Sequence, residues 1–144
     1  MILILTTKEK GDVVEIACIL ELKKLGITVS IPFGESAPYD IVADINGRLY
    51  KIQCKSSTFE DGCISFSCKT VHYNTKFRKT ESYIGKIDFF MTYYGQKCYL
   101  VPIERCLNLS SKRLRVSKAK NNQTKNISLA EDYELQKIIY EMLV

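Results

Sequence analysis

The dipeptide Asn46-Gly47 constrains this chain more than any other pair of residues. It joins two apolar-rich runs in PYDIVADINGRLYKIQCKS, residues 38–56. Asn-Gly is the strongest two-residue hairpin signal, because both central positions of a type I′ turn need positive φ. With the bend there, Ile45 faces Arg48 and each step outward adds one pair. Asp40 then lies opposite Gln53. Side chains alternate between the faces of a strand, so Lys55 points the same way as Gln53. Asp40, Gln53 and Lys55 converge on one face at the open end. The other face collects Ile41, Ala43, Tyr50 and Ile52, a core set.

Around that ribbon the chain reads as one domain, residues 1–144. Its composition, 46% hydrophobic and 26% charged, is globular. Thr6 and Glu9 fit a capping box, opening a helix that runs to Leu25 and stops at Gly26. Ile27 to Phe33 reads as a short strand, placed at an edge by Pro32. Ile64 to Lys69 alternates as a strand does. Ile87–Tyr94 and Lys97–Val101 form a second hairpin turning at Gly95-Gln96. Leu129 to Leu143 is periodic enough for a closing helix, with Leu135, Ile138, Ile139 and Leu143 on one face for core packing or an interface. The expected fold is α/β (α+β), a mixed central sheet flanked by helices.

Six cysteines and one histidine, His72, give no CxxC pair. Reduced, mostly buried thiols fit this usage better than a zinc site. The opening MILIL is too short for a signal peptide, and no apolar run reaches the length of a membrane span. These features place the chain in the cytoplasm.

The polar trio has two readings. It can be a solvated sheet end with a weak ion pair, worth ~0–1 kcal/mol. It can also be a metal site for phosphodiester hydrolysis. A hard cation wants a carboxylate, amide or carbonyl oxygens, and water, and an adjacent ammonium stabilises developing negative charge. Glu15 adds a carboxylate on the helix side shared with Cys18, Ile19 and Leu22, where burial is costly without a partner.

Together these residues resemble the PD-(D/E)XK nuclease superfamily, and within it the group I intron-encoded homing endonucleases. The resemblance rests on Lys10-Gly11-Asp12 with Glu15, Pro38-Tyr39-Asp40 and Gln53-Cys54-Lys55-Ser56. Ile87-Asp88-Phe89-Phe90 and Tyr99-Leu100-Val101-Pro102 are similar to the family's distal strands. It implies a restriction-endonuclease-like core and a Mg²⁺ (or Mn²⁺) ion. Asp40, Glu15, Gln53 and the Cys54 carbonyl would hold the ion, and Lys55 would position the attacking water. Gln53 departs from the superfamily's usual carboxylate. It keeps an acceptor oxygen and removes a charge.

Two basic segments suit a double-stranded DNA partner. The first carries Lys69, Asn74, Lys76, Arg78 and Lys79 and can read base edges if it is a β-ribbon. The second, the arm 110–128, carries Arg113, Arg115, Lys118 and Lys120. One site per chain makes a two-fold dimer the simplest way to cut both strands, and the resemblance implies a homodimer or homotetramer. The alternatives are a non-catalytic DNA-binding module on a nuclease scaffold, kept open by Gln53, and a Holliday-junction or repair nuclease.

Overall fold

The computed structural model describes residues 3–73, 78–117, 121 and 125–144. Helix α1 spans Thr7–Lys24 and begins with the expected reciprocal cap: Thr6 Oγ1 accepts from the Glu9 N–H, and Glu9 accepts from the Thr6 N–H. Such a cap is worth about 1 kcal/mol. The strands that follow are β1 (Thr28–Ser30), β2 (Ile41–Ile45), β3 (Arg48–Cys54), β4 (Thr58–Glu60), β5 (Cys63–Ser67), β6 (Lys69–Tyr73), β7 (Arg78–Ser82), β8 (Phe89–Tyr94), β9 (Lys97–Pro102) and β10 (Ser111–Arg115). A 3-10 turn at Ala130–Tyr133 precedes helix α2, Leu135–Leu143.

The main sheet has the order β1-β2-β3-β8-β9. Only β3 and β8 run parallel; the other neighbours are antiparallel. The β2–β3 register is the one Asn46-Gly47 dictates, from Ile45↔Arg48 to Ile41↔Ile52. Asn46 and Gly47 have φ of 55° and 84°, and the Gly47 N–H donates to Asp44 Oδ1 at 3.0 Å. Without a Cβ, Gly47 takes up this φ with no steric cost.

Both faces of the sheet are covered, so β8 and β9 are apolar almost throughout. On one face, Phe89, Met91, Cys98 and Leu100 pack against α1 and α2 through Val14, Cys18, Leu22, Leu135, Ile138 and Ile139. On the other, Phe90, Tyr99 and Val101 meet a second sheet, β10-β5-β4, through Ile64, Phe66 and Leu114. Strands β6 and β7 pair only with each other, as a two-stranded ribbon. Among the described residues no helix is long and apolar enough to cross a membrane. All six cysteines are free and five are buried.

Several boundaries differ from the sequence reading. The edge strand is limited to Thr28–Ser30. The run Ile64–Lys69 is divided: β5 ends at Ser67, and β6 leaves for the ribbon at Lys69. The closing helix is interrupted at Glu134, whose ψ of 135° is extended. Of its apolar face, Leu135, Ile138 and Ile139 are core, and Leu143 is exposed. The arm 110–128 begins as a strand, because Leu114 is wholly buried and β10 pairs along all of β5.

Candidate active site

The open end of the β2–β3 hairpin is held by backbone bonds on both strands. The Asp40 N–H donates to the Ile52 carbonyl at 3.0 Å, and the Lys55 N–H donates to the Met91 carbonyl at 2.8 Å. The first returns Asp40 to Ile52, the residue already registered with Ile41, so the regular ladder ends there and Asp40 sits just beyond it. Tyr39 packs into the second core cluster, with the Lys51 ammonium 5.9 Å from its ring centre. The Pro-Tyr-Asp run thus anchors the backbone immediately before the carboxylate. Asp88 fastens the neighbouring strand. Its Oδ2 accepts from the Lys51 N–H at 2.8 Å, and its own N–H donates to the Lys51 carbonyl at 2.8 Å.

Asp40 and Gln53 line a cleft of about 510 Å³, together with the loop Glu35–Pro38, Thr70 and Glu81–Tyr83 at the foot of the ribbon, and Lys86. Asp40 Oδ2 accepts from the Cys54 N–H at 3.0 Å. Burial raises the Asp40 carboxyl above its ordinary value, and the Cys54 N–H and the Lys55 charge oppose that rise without cancelling it. Glu15 is raised too, first by burial and then by repulsion from Asp40 and Asp12. The Glu15 carboxylate on α1 and the Asp40 carboxylate just before β2 are therefore close enough to repel. Cys54 points away from the cleft. Its thiol meets Cys18, whose own pKa is driven up by contacts with Cys54 and Cys98 and by burial.

Lys55 is steered by a residue the sequence reading did not single out. Its ammonium sits 4.7 Å above the centre of the Tyr83 ring. Tyr83 is buried and packs edge-on against Phe90, centroids 5.3 Å apart. A cation over an aromatic face gains ~0.5–2 kcal/mol, enough to bias where a flexible lysine rests. Glu81 and Lys86, joined at 3.4 Å, also escaped the sequence reading. The signal for all three was their place at the foot of a ribbon that returns to the cleft. If Tyr83 positions Lys55, Tyr83→Leu should lower kcat about five- to tenfold with KM for DNA unchanged, and Tyr83→Phe should keep wild-type kcat. Single-turnover cleavage of a labelled duplex reads both.

The residues present fit a hard divalent cation. The Asp40 carboxylate and the Gln53 amide line one cleft, and the Glu15 carboxylate lies near enough to feel Asp40, oxygen donors of the kind such an ion prefers. Among the described residues no three His, Cys, Asp or Glu side chains cluster as a chelating group. The candidate set instead mixes side-chain and backbone oxygens.

Of the basic residues, Lys69 opens β6, and Arg78 and Lys79 open β7. Arg113 is exposed on β10. The Arg115 guanidinium is already engaged, donating to the carbonyls of Asp61 at 3.2 Å and Ser117 at 3.4 Å. Asn74, Lys76, Lys118 and Lys120 lie outside the described residues.

The sequence profile of the PD-(D/E)XK endonuclease family matches residues 5–136, and the chain belongs to that family. Among solved structures it is similar to a bacterial homing endonuclease, I-Ssp6803I, with a TM-score of 0.79 and 24% identity over 96% of this chain and 97% of that one. At that identity the likeness shows a shared fold. No curated protein sequence matches the chain.

Proposed function

We propose that this chain is a Mg²⁺- or Mn²⁺-dependent endonuclease that cuts double-stranded DNA at defined sites, of the homing type. It works in the cytoplasm as a homodimer or homotetramer of one-domain chains. The observation that carries this reading is that Asp40 and Gln53 line one cleft while the Lys55 charge acts on Asp40, within the span that matches the endonuclease family. The fold shared with a bacterial homing endonuclease supports the homing assignment.

Asp40, Glu15, Gln53 and the Cys54 carbonyl would hold the cation. When bound, it supplies Lewis acidity and neutralises charge growing on the phosphate. The chain's own groups do the rest. The Lys55 ammonium orients the attacking water and stabilises the negative charge that develops on the phosphoryl oxygens. Tyr83 sets where that ammonium rests. The Cys54 N–H bond to Asp40 fixes the orientation of the carboxylate. The test is supercoiled plasmid with the protein and each divalent cation in turn. Nicked and linear products that need the metal support the reading, and intact plasmid under every cation sinks it.

The ribbon β6–β7 and the segment 110–128 supply the DNA contacts in this reading. Phosphate contacts neutralise backbone charge and carry no sequence information. Replacing both Lys69 and Arg113 with alanine should weaken binding about equally for all duplexes. It should also reduce the slope of log K against log salt by about one per lost contact. Fluorescence anisotropy at several salt concentrations measures this.

A second reading, a DNA-binding module without cleavage, draws on Gln53, which takes a charge out of the metal site. It gives salt-sensitive binding and no product. A preference for four-way or flapped DNA over linear duplex would point instead to a junction or repair nuclease.

A further inference from the structure

The loop 31–38 carries the most exposed large apolar side chain among the described residues. Phe33 is 106% exposed, as free as in an isolated peptide, and Ile31 is 62% exposed. Pro32 between them is half-buried, and its ring fixes φ. Gly34 follows with φ of 84°, a left-handed conformation that glycine adopts without strain. Pro-Phe-Gly is thus a stiff corner with an aromatic ring at its tip. Single apolar groups scattered over a surface need no partner. Here two share one corner, and that corner runs straight into the candidate active site.

Glu35 lines the cleft, as do Ser36, Ala37 and Pro38. Two residues of chain reach ~7 Å at most, so Phe33 stands at the rim. The loop joins β1 to β2, whereas the ribbon β6–β7 leads into β8. Asp40 precedes β2 and Gln53 lies on β3, so in the order of the sheet the site falls between loop and ribbon. The two flanks differ in chemistry. The ribbon carries Lys69, Arg78 and Lys79. From Ile31 to Pro38 there is no lysine or arginine, and the one charged residue is Glu35. The ribbon attracts phosphates. The loop repels them and offers apolar surface instead.

A duplex matches this asymmetry. Each sugar-phosphate strand is the border between the two grooves, so a protein that holds one phosphodiester has the major groove on one side and the minor groove on the other. A two-stranded ribbon fits the major groove. The loop then borders the minor groove. Proteins that bind there insert apolar wedges such as Phe, Ile and Pro between base steps and partly unstack them. Ile31, Pro32 and Phe33 are all of that kind. We infer that Phe33, backed by Ile31, is a minor-groove wedge that unstacks the base step beside the phosphodiester held in the Asp40 cleft. The inference rests on the proposed active site and adds a contact to bases where the ribbon and the segment 110–128 supply contacts to phosphates.

Unstacking a step untwists the duplex, and a closed circular plasmid records the change. The plasmid is bound by the full chain in Ca²⁺, relaxed with a topoisomerase, stripped of protein and run on a gel. Fluorescence anisotropy matches the occupancy of wild type and variants. The wild type should lower the linking number in proportion to the protein bound. Phe33→Ala should reduce that change about fivefold or more at equal occupancy, and Phe33→Trp should retain it. Neither substitution touches the core, because Phe33 is wholly exposed. The inference is overturned if the wild type binds without changing the linking number, or binds no plasmid at all. It is equally overturned if Phe33→Ala untwists as well as the wild type, the result expected of a corner that docks on another protein. The two readings fail separately. Plasmid cut in Mg²⁺ by a chain that does not untwist it sinks the wedge and leaves the nuclease. Untwisting through Phe33 with no cleavage under any cation sinks the nuclease and leaves the wedge.

Discussion

Lys55→Ala and Asp40→Ala should each reduce metal-dependent plasmid cleavage by about 10²–10³-fold or more, with the fold intact. In the proposed mechanism the lysine supplies positive charge to the reacting phosphate, and loss of a single preorganised charge-stabilising group costs that much in kcat. The aspartate would supply a principal charge for the cation in the same mechanism. Asp40→Asn separates catalysis from stability. Asn keeps an acceptor for the Cys54 N–H bond at 3.0 Å and removes the charge. The folded-state pKa of Asp40 is raised, mainly by burial. A group raised on folding favours the fold while protonated, and that contribution is lost as pH rises through the folded-state value. At neutral pH without metal the ionised Asp40 is therefore a net burden. Asp40→Asn should raise the metal-free Tm at pH 7–8 by about 1–3 °C, a small gain because the site is open to water. That gain should vanish below pH 4. Cleavage that survives Asp40→Asn would remove Asp40 from the chemistry.

The ionisation of Glu15 and Asp40 also sets the acid side of the activity profile. Both carboxyls are raised, so at low metal concentration cleavage should fail above the ordinary carboxylate range as pH is lowered. Saturating metal competes with protons for the same oxygens and should move that limb to lower pH.

The hairpin that carries the candidate site was legible because its geometry is local. One turn dipeptide fixes the register of two adjacent strands as far as Ile41↔Ile52, and Asp40 and Gln53 line one cleft at its open end. The cap at Thr6 and Glu9 is equally local. What escaped depends on partners distant in sequence. Strand β4 is short and exposed throughout, so it shows no alternation. Its hairpin was nonetheless announced by Asp61-Gly62, whose φ values of 52° and 76° repeat the chemistry of Asn46-Gly47. Strand β10, SKRLR, reads as a solvated basic tail, because its one buried side chain is Leu114. Its pairing with β5 is tertiary. Tyr83 was hidden among the basic residues of its segment, and only the fold sets it beneath Lys55.

Gln53→Glu addresses the one departure from the superfamily pattern. A carboxylate at this position lines the same cleft as Asp40. At an effective dielectric near 20, unit charges 4 Å apart interact by about 4 kcal/mol, so the added charge attracts a divalent ion at that distance by about 8 kcal/mol. Most of that is offset, because the added charge must also sit beside Asp40 and Glu15, which already repel each other. A net gain of ~1–3 kcal/mol corresponds to Ca²⁺ binding tighter by about 10–100-fold, measured by calorimetry in the absence of turnover. The same repulsion should lower the metal-free Tm, and saturating Ca²⁺ should more than restore it, since an ion held only by the folded state stabilises it by mass action. Higher cleavage at limiting Mg²⁺ would show a working site that lacked only charge. Tighter Ca²⁺ binding with no cleavage would favour the DNA-binding module. Unchanged affinity for Ca²⁺ would mean that residue 53 does not reach the ion, and the donor set would have to be drawn from Asp40, Glu15 and the Cys54 carbonyl alone.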